Sequence, residues 1–142
     1  MAIVGVRHRL NAAGIAELFV SAKIQGNMFV RGLLVESQAK VELSSNDPRR
    51  VDTGRLRADI HTRRVTVRNL RGARVSTDVS YGLYVHDGTG IYGPRHTPIK
   101  PKHGRVLVFI PKGETQPVFA RSVRGMRPNQ YLKNALPAAR LR

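Results

Sequence analysis

Gly88-x-Gly90-x-x-Gly93 has the spacing of the turn that lays a dinucleotide's pyrophosphate on a helix N-terminus. That chemistry needs a strand before the turn and a helix after it, so that free backbone amides point at the phosphates. Pro94, Pro98 and Pro101 follow instead, and prolines this close together prevent a helix from opening there. The nucleotide reading fails, and the glycines are left to permit a tight turn. Asp52-Thr53-Gly54 has the form of an aspartic-protease site, but that chemistry needs two carboxylates sharing a proton, and the chain carries one copy. A helix cap from Asp52 or Thr53 is the ordinary explanation. Ser80, His86 and Asp87 are of triad types without the strand-turn-helix elbow that activates a serine. Histidines at 8, 61, 86, 96 and 103 lack close helical ligand spacing. Cysteine is absent, which removes disulfides, thiolate catalysis and most structural zinc sites. No enzyme, cofactor or metal is expected, and His86 beside Asp87 is kept as a pH-sensitive contact.

The elements that position these residues must fit in 142 residues, the size of a single domain over 1–142. The longest apolar run, residues 106–110, is far short of the roughly 20 that cross a bilayer. With no signal-peptide core at the amino terminus, the chain is expected to be cytosolic where it is made. Its 25 basic and 9 acidic residues give a net charge of +16, which concerns partners rather than fold. Nucleic acid, an acidic protein surface or an anionic membrane are the candidates. Arginines run through the middle of the chain, and no acid follows Glu114.

Taken in order, residues 2–6 suit a short edge strand or extended arm. Asn11 can cap a helix over residues 12–43, where Ile15, Leu18, Phe19, Ala22, Phe29 and Leu33 recur at three- and four-residue steps. Gly14, Gly26 and Gly32 mark kinks or close approaches in it. Residues 44–50 are a loop, and Leu56 and Ile60 lie one turn apart on a short helix. From His61 the period is two, predicting antiparallel strands about a turn at Arg71-Gly72, with an arginine-rich face outward. Tyr81, Leu83 and Tyr84 are read as core, and residues 91–104 as a proline-rich loop that touches a partner. Residues 106–110 are the best candidate for a buried strand, paired with 118–123 across a turn at 112–117. Pro128 opens, and Pro137 ends, a last helix with Tyr131, Leu132, Ala135 and Leu136 on one side.

VDTGRLRADI at 51–60, YGLYVHDGTG at 81–90 and VFARSVRGMRPNQYLKNAL at 118–136, behind an amphipathic helix, resemble the tail-component family of long-tailed phages typified by the HK97 neck and tail-completion protein. The resemblance implies an α+β fold, with a long N-terminal amphipathic helix and a short C-terminal helix packed on a mostly antiparallel sheet. It assigns fold roles to Asp52, Thr53, Gly54, Leu56, Tyr81, Tyr84, Val85, Gly88, Thr89, Gly90, Gly125, Pro128 and Leu132. It further implies a structural subunit of the virion's head-tail junction, made in the bacterial host cytoplasm. The expected partners are its own copies, in a homo-oligomeric ring (a hexamer by family resemblance), and the neighbouring neck, head-completion, tail-terminator or tail-tube proteins. Non-specific contact with packaged DNA is a further expectation; a membrane is not.

The expected interface comprises Ile91, Tyr92, Arg95, His96, Lys100, Lys102 and His103 in the loop, with Arg63, Arg68 and Arg74 on the strands. In a ring, modest contacts repeat and sum. The alternative is a basic nucleic-acid-binding module without enzymatic activity, which the charge and the tyrosines permit. Against that alternative, no RNP-like, zinc-finger or helix-turn-helix signature is present, and the aromatics cluster in a glycine turn.

Overall fold

A computed structural model of the chain describes residues 11–45, 54–111 and 113–140. The expected strand at 2–6, the 46–50 loop residues and the Asp52/Thr53 cap lie outside the described residues.

Two helices replace the single expected one: α1 (Ala12–Val20) and α2 (Ala22–Ser45). The break is at Ser21, whose backbone turns extended at ψ 146°. Its hydroxyl donates to the Leu18 carbonyl at 2.8 Å and accepts from the Ile24 amide at 3.3 Å, so one serine ends α1 and starts α2. Hydroxyl chemistry at Ser21, rather than any of the three glycines, divides the helix. At the other end Asn11 accepts the Gly14 amide at 3.0 Å.

The helix α2 is the spine, and it buries Gly32, Val35, Ala39 and Leu43 along one side. Leu56, from α3 (Arg55–Asp59), and Ile60 pack there with Val85, Tyr131 and Ala135. Gly32 is small because the sheet lies on it: a Cβ would come within 2.6 Å of the Thr62 methyl and 3.0 Å of the Ala73 Cβ.

That sheet is a hairpin of β1 (His61–Val67) and β2 (Leu70–Ser76), paired antiparallel with His61 opposite Ser76 and Val67 opposite Leu70. Its turn is Arg68-Asn69, both at positive φ (50° and 66°), as a two-residue primed turn demands. The turn expected at Arg71-Gly72 is therefore misplaced, and Gly72 sits in β2 opposite Val65. The face turned to α2 is polar but satisfied. Thr62 donates to Glu36 at 2.8 Å, Arg71 reaches Gln25 at 3.3 Å, and the Arg64 guanidinium lies 4.8 Å over the Phe29 ring. Burial pushes the Glu36 carboxyl up, but its bonds from Lys40 and Thr62 outweigh this and hold it below its ordinary 4.5.

After α4 (Gly82–Asp87) and a 3-10 turn at Gly90–Tyr92, a second and separate hairpin pairs β3 (Leu107–Phe109) with β4 (Val118–Ala120). The chain is thus mixed helix and sheet, with two small antiparallel sheets in place of one. The pairing of this second hairpin is as the sequence suggests; its burial is not. Val108 is 58% exposed, Ile110 62% and Phe119 64%, because β3 and β4 pack chiefly on each other.

The final helix, α5 (Tyr131–Ala135), starts after Pro128 rather than at it, and Pro137 lies within a closing 3-10 turn, Leu136–Ala139, rather than ending the helix. Tyr131 is the core tyrosine, while Tyr81, Leu83 and Tyr84 are exposed, reversing the expected burial. Burial, with the charges of Asp59 and Asp87, pushes the Tyr131 phenol up to about 12. No described helix is long and apolar enough to cross a membrane.

Leu43→Ala is expected to lower unfolding free energy by about 2–5 kcal/mol in urea titration, whereas Phe119→Gln should change it by less than about 0.5 kcal/mol. The Tyr131 phenol ionises at about 12 when folded and near 10 when unfolded, so its contribution is intact below pH 10 and is lost as pH rises toward 12. Tyr131→Phe should therefore flatten the alkaline limb of the stability curve.

Candidate functional site

Asp59, at the end of α3, organises the start of the site. Its Oδ2 accepts from the Thr77 hydroxyl and the Asp78 amide, both at 2.6 Å, and from the Val79 amide at 3.2 Å. These bonds, the hydroxyl's first, hold the carboxyl below its ordinary 3.8. They fasten the exit of β2 to α3 and so aim the chain into α4. His61 Nδ1 lies 2.7 Å from the Asp59 carbonyl, and its Nε2 is 3.9 Å from Asp78, which Arg63 also meets at 3.0 Å. Asp59, His61 and Asp78 thereby bring ligand-type atoms within 4.8 Å of one another. Only Asp59-x-His61 was visible in the sequence, since Asp78 arrives through hairpin register. The Oδ2 atoms of both acids are already engaged by backbone amides, Thr77 and Arg63, so the cluster acts as a clasp.

The glycine turn is a crossing of two backbones. Thr89 and Ile91 amides donate to the Met126 and Arg124 carbonyls, each at 2.8 Å, and the Thr89 hydroxyl accepts the Met126 amide at 2.9 Å. Gly90 (φ 65°) and Gly125 (φ 91°) lie face to face. A Cβ on Gly90 would stand 2.1 Å from the Arg124 oxygen, and one on Gly125 2.2 Å from the Thr89 oxygen. The Thr89, Ile91, Tyr92 and Gly93 amides are thus committed to backbone carbonyls rather than left to meet a pyrophosphate. Next to the crossing, the Asn129 backbone N–H donates to the Val85 carbonyl at 2.9 Å, which ties α4 to the segment leading into α5. The Asn129 side chain is buried, with no hydrogen-bond partner among the described residues.

Of the residues that the resemblance assigns to the fold, Leu56 and Val85 are in the core, and Leu132 packs at its margin. Gly54 caps α3 at φ 80°. Gly88, Thr89, Gly90, Gly125 and Pro128 meet at the crossing, where a Cβ on Gly88 would stand 2.9 Å from the Pro128 nitrogen. Asp52 and Thr53 lie outside the described residues. Tyr81 and Tyr84 are at the surface of α4, 41% and 59% exposed.

Among the residues expected at the interface, Ile91 and Tyr92 are half-buried, and Arg127 lies 5.6 Å over the Tyr92 ring. Arg95, His96, Lys100, Lys102 and His103 are exposed. Arg95 and Lys100 line a hollow of about 470 Å³ opposite Leu83, Tyr84 and Asp87. Arg63 and Arg74 are directly paired across the hairpin and share its outward face. Arg68 is in the hairpin turn, and Arg64 and Arg71 lie toward α2. The expected single arginine-rich face is thus divided between both sides of the hairpin and its turn.

His86 Nδ1 is 2.6 Å from the Asp87 carboxylate, and its ring stands edge-on to Tyr131 at 5.4 Å. Ser80, His86 and Asp87 line a second hollow of about 470 Å³, and no hydrogen bond links Ser80 to His86 among the described residues. Comparison of the chain with protein-family models, with curated proteins and with solved structures returns no match.

Gly90→Ala is expected to open the crossing at a cost above about 2 kcal/mol, read as a lowered urea midpoint and faster exchange of the Ile91 amide. On acidification the unfolded chain takes up the Asp59 proton before the folded one does. Stability present above pH 3.8 is therefore lost as pH falls through the lower folded value. Asp59→Asn should flatten that acid limb in urea titrations between pH 6 and pH 2.5.

Proposed function

We propose that this chain is a non-enzymatic assembly subunit of the phage head-tail junction, forming a ring that completes the tail or joins it to the head. The observation that carries the reading is apolar surface left uncovered at separate places: the outer side of the helices, the tip of α4 and the second hairpin. Exposed apolar clusters of this kind mark surfaces that a subunit covers on assembly. The order of the three motifs supports the same reading. The charge of +16 then serves to orient docking on acidic neighbouring surfaces.

A basic nucleic-acid-binding module is the second reading, and the facing Arg63 and Arg74 favour it. Contact of that kind would go to phosphates, without base readout, and weaken steeply with salt.

Immunogold electron microscopy of phage particles from the source culture, with antibody to this protein, is expected to label the head-tail junction. No label on intact or partly disrupted particles, with the protein on cellular nucleic acid instead, would reject the neck and favour the second reading. Replacing Arg63, Arg68 and Arg74 with glutamine should reduce joining of heads to tails, and unchanged joining would remove these side chains from the docking surface.

A further inference from the structure

The helix α2 has two apolar sides. Gly32, Val35, Ala39 and Leu43 turn into the core, and Val30, Leu33, Leu34 and Val41, at steps of three, four and eleven residues, form a stripe on the opposite side. These four are 39–50% exposed. A helix that is apolar on both sides is ordinarily buried on both, yet among the described residues the second stripe keeps about two-fifths to half of each side chain open to solvent.

The second hairpin supplies a surface of matching shape. Alternation puts Val106, Val108 and Ile110 on one face, and the register places Phe119 directly opposite Val108 on that face. All four are exposed, more so than Phe109 and Val118 on the reverse. The stripe from Val30 to Val41 is about 16 Å long at helical rise, and the strand face from Val106 to Ile110 is about 13 Å long at strand rise. Each exposes apolar area on the order of several hundred Å². Joined, with their polar rims, they reach the size class of a specific interface.

Charge selects the occupant. Around the stripe, Lys23, Arg31 and Lys40 balance Glu17, Glu36 and Glu42, so residues 12–45 are electroneutral despite the net charge of +16. Residues 91–125, which carry the hairpin, have seven lysines and arginines against the single acid Glu114. Two hairpins brought together would repel. A hairpin on a neutral helix does not.

We propose that the Val106/Val108/Ile110/Phe119 face of one copy packs on the Val30/Leu33/Leu34/Val41 stripe of the next copy. This contact is head-to-tail, since each chain offers two different surfaces, and its repetition closes a ring or extends a filament. The proposal rests on the assembly reading above and names the surfaces that make the subunit-to-subunit contact.

The test uses full-length chains in analytical ultracentrifugation and native mass spectrometry at up to about 100 µM, in 0.5 M salt to suppress charge contacts. One variant carries Val108→Thr and Phe119→Gln, the other Val30→Gln and Leu33→Gln, so neither changes net charge. Wild type is expected to associate beyond the dimer, and each variant alone to weaken association by about 100-fold or more. Mixed in equal amounts, the two variants should form a 1:1 dimer and nothing larger, because one intact hairpin meets one intact stripe. That recovery also shows that both variants are folded. A helix variant that still associates through its hairpin would overturn the proposal, as would variants that fail to combine while keeping wild-type urea midpoints, or a wild type that stays monomeric. Misfolding of the Leu33 variant is met by substituting Val41→Gln with Val30→Gln instead. Failure here with junction labelling intact would reject these surfaces and leave the neck reading standing, and association without labelling would do the reverse.

Discussion

One close approach governs the described fold: the seam along α2 where Gly32, Val35, Ala39 and Leu43 receive the first hairpin, α3 and α5. Small residues set its geometry. Gly32 lets Thr62 and Ala73 lie against the helix backbone, and Ala39, fully buried, leaves room for the larger Leu43 and Tyr131 nearby. Close packing along this line fixes where the first hairpin, α3 and α5 sit. It also consumes only one side of the helix.

Two polar devices carry that order outward. The Asp59 carboxylate gathers the Thr77 hydroxyl and two amides, which ties the exit of the hairpin to the short helix. The Gly90–Gly125 crossing then brings distant segments into direct backbone contact. Both bind backbone groups rather than pairs of exposed charges, which makes them insensitive to salt in a chain so rich in arginine. The arginines are distributed to match. Arg64 lies over the Phe29 ring and Arg71 donates to Gln25 on the α2 side, and others stand outward where a partner would meet them.

Local chemistry was legible in the sequence, and tertiary burial was not. The alternation from His61 onward gives a hairpin because a period of two leaves few other choices, and Leu56 and Ile60 are one turn apart on the core side. The primed turn at Arg68-Asn69 was missed because Gly72 is the louder turn signal, although asparagine tolerates positive φ. The helix break was missed because serine at position 21 is unremarkable until its hydroxyl is seen bonding in both directions. Residues 106–110 illustrate the deeper limit. An apolar run states that a segment must be covered, but not whether its own chain or a neighbour does the covering. Tyr81 and Tyr84 misled in the same way: the aromatic that fills the core is Tyr131, beyond the turn.

The crossing at Gly90 and Gly125 has a consequence for how such a chain can change. Ile91 leaves the crossing and Arg124 returns to it, joined by a bond of 2.8 Å, so everything between them is an excursion that departs from and re-enters the body at one point. The second hairpin and the proline-rich loop therefore form an arm that is held to the body at this point and beside α4. Changes of length between those two anchors are expected to leave the seam along α2 in place. Selection for a new neighbour can thus act on the arm while the body keeps its shape, and divergence should gather between residues 91 and 124.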